Sequence, residues 1–182
     1  MILLLGVEAF LLSLFVLIFV SGLVSSVKGA PYVPLPKNSV RGILEFAELD
    51  RDGAFYDLGC GDGRVLIGAV KISGVKKASG YEISPWPYLK AKFLVRREKL
   101  GNKIEILRQN LFNADLSQAD AVFAYLYPKV IGKLALKFSR ELKPEAKIIC
   151  VSFPIESPEK FSLKLIKSGK VGRFTVYLYE KT

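Results

Sequence analysis

The chain has 182 residues, of which 51% are hydrophobic, so it is long enough for one domain of ordinary size with a well-filled core. It contains no histidine, which excludes a histidine general base and removes the commonest metal ligand; its two cysteines have no neighbouring metal-ligand residues, so no metal site is predicted. With 27 basic residues against 17 acidic ones, the net charge is +10, which favours either acidic partners or a well-solvated surface.

The first segment of the chain is a long apolar run. Residues from Ile2 to Val24 are almost wholly apolar, and Glu8 is the only charged residue among them. As a helix, about 23 residues reach roughly 35 Å, which is enough to cross the hydrocarbon core of a bilayer. A cleaved signal peptide is the alternative, but no lysine or arginine precedes the run. We therefore expect a transmembrane helix over residues 1–27.

The basic residues around this run predict its orientation. None precedes it, whereas Lys28, Lys37 and Arg41 follow it. The positive-inside rule then places the rest of the chain in the cytoplasm, so we expect a single-pass membrane protein with a cytoplasmic catalytic domain. A basic domain beside a membrane would also be able to contact anionic lipid headgroups.

A proline-rich segment follows at residues 28–37. Its prolines favour an extended, stiff backbone, which is typical of a linker. Beyond it, Asn38 or Ser39 is expected to cap a helix. The apolar face of that helix has the i, i+3, i+4, i+7 spacing of Val40, Ile43, Leu44 and Ala47. We predict that the main domain spans residues 38–182.

The most informative stretch lies at residues 57–63, which read Asp-Leu-Gly-Cys-Gly-Asp-Gly. An apolar strand pattern precedes it, and a helix pattern begins at Arg64. Glycines at every second position allow a tight turn and a close approach of the backbone to a ligand. Further along, a second apolar run ends at Glu82, where a carboxylate would meet a ribose. This arrangement predicts a site for a nucleotide-like ligand.

Two classes of ligand fit such a turn. A dinucleotide fingerprint requires a small residue at the position of Arg64, and Asp57 and Asp62 would repel its pyrophosphate. S-adenosylmethionine has no phosphate and carries a sulfonium and an ammonium group, so the acids suit it. The pattern resembles motif I of the seven-strand methyltransferases. A dinucleotide site and a purely structural turn remain the alternatives at this point.

The remaining elements predict an α/β fold. Apolar strands alternate with one-sided helices, which implies a parallel sheet covered on both faces. A hairpin is expected at the end of the chain, with its turn within residues 168–172. Strands are predicted at 54–58, 78–83, 104–107, 119–125 and 147–152, helices at 64–72, 87–100 and 129–142, and hairpin strands at 163–166 and 174–179. The fold class is therefore a Rossmann-like seven-strand methyltransferase sheet, mostly parallel, with an antiparallel C-terminal hairpin.

Several boxes of residues point to one family. The motif I stretch from Tyr56 to Arg64 is joined by Pro-Tyr-Val-Pro-Leu-Pro at 31–36, by Gly-Tyr-Glu-Ile-Ser-Pro-Trp at 80–86 and by Tyr-Leu-Tyr-Pro at 125–128. With these boxes, the chain resembles the small membrane-anchored protein lysine methyltransferases that modify the ATP synthase c subunit and the adenine nucleotide translocase, and their archaeal relatives. The resemblance implies S-adenosylmethionine as the cofactor.

The resemblance also implies roles for individual residues. Glu82 would take both ribose hydroxyls through charge-assisted hydrogen bonds. Asn110 stands where the family usually has an aspartate that meets the adenine amino group. Its amide oxygen can still accept a hydrogen bond from that group, but cofactor binding would be weaker. Tyr32 would lie across the cofactor as part of a lid. The residues that would hold the methionine end are Asp57, Gly59, Gly61 and Gly63.

The acceptor site is predicted after the fourth strand. Tyr125 and Tyr127 could form a slot for an alkyl ammonium group through cation–π attraction and hydroxyl hydrogen bonds, although they would also fit as core or rim residues. Burial beside a sulfonium would lower the pKa of a lysine, so no dedicated base is required. We therefore expect methyl transfer to exposed lysines of protein substrates at the membrane.

Two other functions remain open. Seven basic residues against two acidic ones lie between Lys90 and Arg108, and they motivate a second hypothesis, in which the methyl acceptor is a nucleic acid, a lipid or a small molecule. A nucleic acid is a weaker candidate than a protein. A non-catalytic, cofactor-binding membrane scaffold is the third hypothesis, motivated by Asn110.

Overall fold

The computed structural model of the protein describes residues 2–28 and 32–182, and in the first helix it describes the side chains of residues 6–13 and 15–22. A single sheet organises the second range. Its strands are β1 (Ala54–Leu58), β2 (Lys77–Tyr81), β3 (Ile104–Leu107), β4 (Ala121–Ala124), β5 (Lys147–Val151), β6 (Leu163–Val171) and β7 (Phe174–Lys181). They lie in the order β3-β2-β1-β4-β5-β7-β6.

The pairing of these strands confirms the predicted sheet. Strands β1 to β5 pair in parallel, and β7 pairs antiparallel with both β5 and β6. The strand order reverses at β1, which lies between β2 and β4. In open α/β sheets, ligands bind in the crevice at the carboxyl ends of the strands at such a point.

Helices cover both faces of the sheet. The helices are α1 (Ile2–Lys28), α2 (Lys37–Ala47), α3 (Arg64–Gly68), α4 (Pro85–Arg97) and α5 (Pro128–Glu141). Helices α2 to α5 pack on the sheet, and α1 contacts α4. A π-helical turn, Ala69–Ser73, continues α3, and 3₁₀ turns lie at Leu111–Asn113 and Pro158–Phe161. One buried cluster joins α2, α3 and part of α4 to the sheet, and a second cluster joins α5 to the opposite face.

Two local predictions are wrong. Helix α2 begins at Lys37, and neither Asn38 nor Ser39 caps it; the N-cap position is Pro36, whose carbonyl accepts a hydrogen bond from Val40 N at 3.0 Å. The hairpin turn is also tighter than expected, because β6 continues to Val171 and leaves two residues before β7. Residues 168–171, which their glycine and serine content assigned to a loop, therefore belong to the paired strand β6.

The first helix does not have the predicted role. Among the residues that the structure describes, no helix combines the length and the apolar character that a membrane crossing requires. The transmembrane helix predicted at residues 1–27 is therefore not found, and the single-pass membrane localisation with a cytoplasmic catalytic domain is wrong. The predicted contact with anionic lipid headgroups depended on this membrane location and is therefore unsupported. Helix α1 instead contacts α4, where the buried Ser21 Oγ accepts a hydrogen bond from Trp86 N at 2.8 Å.

Candidate functional site

The turn after β1 is built on three glycines with left-handed backbone. Gly59, Gly61 and Gly63 have φ angles of 82°, 55° and 74°, which L side chains rarely adopt. The amides of Gly59 and Cys60 both donate to the carbonyl of Tyr81, at 2.8 and 3.1 Å. The glycine turn is thereby fixed to the end of β2, at the point where the strand order reverses.

Three buried carboxylates surround this turn. Asp57 and Asp62 are each 2% exposed, and Glu82 is 8% exposed. Glu82 accepts from the Gly61 amide at 3.1 Å through Oε2 and from the Ser84 amide at 2.7 Å through Oε1. Within the described part of the chain, no donor reaches Asp57 Oδ2. A buried acceptor without a donor is costly, so this oxygen favours a ligand that brings one.

The ionisation of the three carboxyls differs. Burial, together with the charges of Glu82 and Asp62, raises the pKa of Asp57 well above its usual value. Burial also raises the pKa of Glu82, although backbone N–H groups oppose the shift. Burial acts on Asp62 in the same direction, but hydrogen bonds led by those from Arg64 outweigh it and hold its pKa at about 2. A positively charged, phosphate-free ligand would relieve this crowding, whereas a pyrophosphate would increase it.

Tyr32 packs directly on the glycine turn. A Cβ atom on Gly61 would lie 2.6 Å from Tyr32 Cε2, so only a glycine permits this contact. Lys90 Nζ lies 5.7 Å from the centre of the Tyr32 ring and 3.2 Å from Asp62 Oδ2. Burial, followed by the Asp62 charge, raises the pKa of the Tyr32 hydroxyl, which therefore stays neutral. Contacts with Gly61 and with Lys90 thus hold Tyr32 over the turn.

Asn110 lies beyond the end of β3 and begins a 3₁₀ turn. Its Oδ1 accepts a hydrogen bond from the Phe112 amide at 3.1 Å. The amide oxygen that we expected to meet an adenine amino group therefore already accepts one backbone bond, which fixes its direction. Gln109 and Leu111 lie beside it and line the same cavity as Tyr32 and Asp57.

Aromatic residues form the other side of the site. Tyr125 follows β4 and makes an edge-to-face contact with Phe174, with ring centres 5.8 Å apart. Tyr127, at the N-cap position of α5, is 47% exposed. Ser152 and Phe153 follow the neighbouring strand β5. These four cavity-lining residues, which we call the aromatic wall, include no carboxylate, whereas Asp57, Asp62 and Glu82 belong to what we call the acidic wall.

One cavity of about 350 Å³ joins these groups. Of the residues predicted for the site, those that line it are Tyr32, Asp57, Gly59, Gly61, Glu82, Asn110, Tyr125 and Tyr127. Gly63 is not among the lining residues; a Cβ there would lie 3.3 Å from that of Ala91, so this glycine allows α4 to pack closely. No group of three or more described histidine, cysteine or acidic side chains is arranged to hold a metal ion.

Sequence reasoning missed several lining residues. The sequence pattern marks Arg64 only as a mismatch to a dinucleotide fingerprint, yet its guanidinium contacts both Asp62 and the Leu35 carbonyl. Ser152 and Phe153 belong to no recognised motif. The available signal was their position at the end of the fifth strand, next to the fourth, and the left-handed backbone of Ser152 (φ 72°) marks the same place.

Comparison with known proteins gives one consistent family. Residues 57–161 match the family model described as the ANTKMT methyltransferase domain. A protein-lysine N-methyltransferase of Saccharolobus islandicus is 36% identical over 155 residues, which are 85% of this chain and 96% of that protein. The ATP synthase c-subunit lysine N-methyltransferase of Xenopus laevis is 32% identical over 124 residues, which are 68% of this chain. The match spans only 54% of the Xenopus protein.

A solved structure supports the fold. The RNA methyltransferase of Salinibacter ruber, crystallised with S-adenosyl-L-homocysteine, superposes with a TM-score of 0.75 at 31% identity. The superposition covers 82% of this chain and 94% of the Salinibacter chain.

Proposed function

The chain belongs to the ANTKMT methyltransferase-domain family and is an S-adenosylmethionine-dependent methyltransferase, and we propose that it transfers methyl groups to lysine side chains of proteins. One observation carries the proposal. The cavity has an acidic wall, where Asp57 Oδ2 lacks a donor among the described residues, and an aromatic wall without a carboxylate. The first wall suits a cationic methyl donor, and the second suits an alkyl amine.

The acidic wall would hold the cofactor. Asp57 would accept from its ammonium group, and the turn at Gly59 and Gly61 lets the backbone approach its methionine end. Glu82 would bind the ribose hydroxyls with the carboxylate that already supports the turn. Asn110 would lie at the adenine end. When bound, the cofactor supplies a methyl group on a positively charged sulfur.

The aromatic wall would receive the lysine. Tyr125, Tyr127 and Phe153 line this side of the cavity, and aromatic faces attract alkyl ammonium groups. The amine nitrogen of the lysine would bond to the methyl carbon as the bond from that carbon to sulfur breaks, and sulfur would keep the electron pair of the broken bond. The amine must first lose a proton to water, and desolvation beside a cation favours that loss. Alignment of the reacting atoms can contribute roughly 7–11 kcal/mol.

The division of the chain is part of the proposal. Residues 38–182 would form the catalytic domain, and residues 28–37 would serve as a linker and lid. In support, four described residues of that segment, Tyr32, Val33, Pro34 and Leu35, line the cavity.

A nucleic-acid acceptor is the second candidate. The likeness to the Salinibacter RNA methyltransferase favours it, and so does the basic cluster between Lys90 and Arg108. Six of the seven basic residues in that cluster are exposed, and only Lys90 is half-buried. Exposed lysines and arginines would contact phosphates in this case.

Labelled methyl transfer tests the proposal. The purified protein is incubated with S-adenosylmethionine carrying a labelled methyl group and a cell extract, which is then separated into protein, RNA and lipid. We expect label in protein as N-ε-methyllysine, and none with the Asp57→Asn variant. Label in RNA alone would contradict the proposal in favour of the second candidate, and cofactor binding without any transfer would indicate a non-catalytic domain.

A further inference from the structure

Arg64 uses three of its donors on two separate partners. Its Nε and Nη2 atoms bind the two oxygens of Asp62, at 2.8 and 2.6 Å. Its Nη1 atom donates to the Leu35 carbonyl at 2.5 Å. The first pair is a bidentate contact within the glycine turn, and the third bond reaches a carbonyl 29 residues earlier in the chain. A side chain at the start of α3 thereby joins the turn to another segment.

That segment is the strap, which we define as residues 32–36. Four of its five residues line the cavity, from Tyr32 to Leu35. Pro34 and Pro36 have no backbone N–H, so the strap has few donors of its own with which to bind the domain. Tyr32 contacts Gly61 and Lys90, and the side chain of Leu35 is buried. Two hydrogen bonds also hold the strap: the Pro36 carbonyl accepts from Val40 N, and the Leu35 carbonyl accepts from Arg64.

We infer that Arg64 is a positioning residue that fastens the strap across the cofactor cavity, so that the rate at which the cofactor leaves depends on the Arg64–Leu35 contact. The inference rests on the proposed assignment of this cavity to the cofactor. Arg64 itself is not required to touch the cofactor. It acts through the strap on one side and through Asp62 on the other.

The geometry requires an arginine. A guanidinium is planar and presents a fork of donors together with a further N–H, so it can bind both oxygens of Asp62 and still reach a carbonyl. A lysine ammonium is a compact charge on a flexible stem and cannot reproduce the fork. Lys90 already supplies such a charge to Asp62 at 3.2 Å, so Asp62 keeps a cationic partner when Arg64 is replaced.

Dissociation of S-adenosylhomocysteine tests the inference. Surface plasmon resonance gives association and dissociation rates for the unmodified protein and for Arg64→Met and Arg64→Lys. We expect the dissociation rate to rise about tenfold or more in Arg64→Met, as for a lost bond from a charged donor, and less in Arg64→Lys. The matched control is Arg41→Met, which removes only an exposed pair with Glu45 on α2 and should leave the rate unchanged.

A double-mutant cycle separates this role from a purely structural one. If Arg64 acts through the strap, Arg64→Met should add little once Tyr32→Ala has removed the strap's cover. In the ligand-free Arg64→Met variant, hydrogen exchange at the Val33 and Leu35 amides should also be faster. An unchanged dissociation rate in both Arg64 variants, or effects that simply add to those of Tyr32→Ala, would overturn the inference alone. An unmodified protein that binds no S-adenosylhomocysteine would overturn the proposed function as well.

Discussion

The Gly61 amide donates a 3.1 Å hydrogen bond to Glu82 Oε2, so the carboxylate proposed for the ribose also supports the turn proposed for the methionine end. The other carboxylate oxygen of Glu82, Oε1, accepts a hydrogen bond from the Ser84 amide. The two ends of the cofactor site are therefore coupled through one buried side chain.

Replacement of Glu82 by alanine should weaken cofactor binding. We expect a loss of about 1.5–3 kcal/mol, as for hydrogen bonds to a charged group, measured by calorimetric titration with S-adenosylhomocysteine. The melting temperature should fall too, because the Gly61 and Ser84 amides lose their acceptor. Glu45→Ala on the exposed face of α2 is the control. The same affinity in Glu82→Ala as in the unmodified protein would contradict the role of Glu82.

Cofactor binding should depend on pH. The pKa values of Asp57 and Glu82 are raised in the folded protein, so the folded state holds protons that the unfolded state has released. Stability without ligand should therefore fall as the pH rises from the ordinary carboxyl range, about 4, through the raised values. S-adenosylmethionine should bind more tightly over the same rise, because its positive charges favour the ionised carboxylates.

Calorimetry in two buffers of different ionisation enthalpy measures this coupling. We expect binding to release protons, and Asp57→Asn to release fewer. Asp62 should contribute nothing between pH 5 and pH 7.5, because its pKa is held at about 2 and it stays ionised. Proton uptake on binding, or no proton exchange at any pH, would contradict a raised pKa of Asp57.

Two glycine-to-alanine changes should have opposite effects. In Gly61→Ala the new methyl would come 2.6 Å from Tyr32 at a φ of 55°, so we expect lower stability, a displaced Tyr32 and weaker cofactor binding. In Gly132→Ala the methyl would enter open space on α5, and helix propensity predicts a gain of up to about 1 kcal/mol. Thermal unfolding and titration of both variants give the comparison, and a Gly61→Ala protein that binds normally would be inconsistent with the close contact.

The Tyr127 ring should matter for the acceptor and not for the cofactor. We expect Tyr127→Ala to lower kcat/KM for a lysine substrate about 2- to 30-fold, the range of one cation–π contact, with S-adenosylhomocysteine affinity unchanged. Tyr127→Phe should retain most of the activity if the ring face acts, and lose it if the hydroxyl acts. Tyr88→Ala is the control, because Tyr88 lies on α4 beside Lys92 and does not line the cavity. Equal losses in Tyr127→Ala and Tyr88→Ala would argue against an acceptor slot.

Removal of residues 1–28 should leave the cofactor site intact. No described residue of α1 lines the cavity. Helix α1 is joined to the domain by a hydrogen bond from Trp86 N to Ser21 Oγ. We expect the shortened chain to bind S-adenosylhomocysteine with an affinity within about twofold of the full chain, since changes away from the buried features of a site are usually small. A shortened chain that folds but does not bind would move the domain boundary to a position within α1.

The sheet and the acidic side of the site were predictable because their signals are local. The acid and glycines at 57–63 follow one apolar run, and Glu82 follows the next, so adjacency of β1 and β2 brings them together. The observed strands begin within about two residues of their predicted positions, because short apolar runs bounded by turn residues specify them well.

The remaining features depend on contacts between distant parts of the chain. The bond from Arg64 to the Leu35 carbonyl and the position of Phe153 follow from tertiary packing, which no local pattern encodes. For the apolar run at the start of the chain, by contrast, a local pattern was present but gave a wrong prediction. Its composition alone predicted a membrane span, whereas the structure has a helix that contacts α4 through Ser21 and Trp86.

The most direct test of the account is a calorimetric comparison of S-adenosylmethionine with NADH at pH 7.5. We expect one molecule of S-adenosylmethionine bound per chain, no detectable binding of NADH, and weaker binding of S-adenosylmethionine in Asp57→Asn. Binding of NADH in preference, or failure of S-adenosylmethionine to bind, would contradict the claim that buried carboxylates around a glycine turn select a cationic donor without phosphate.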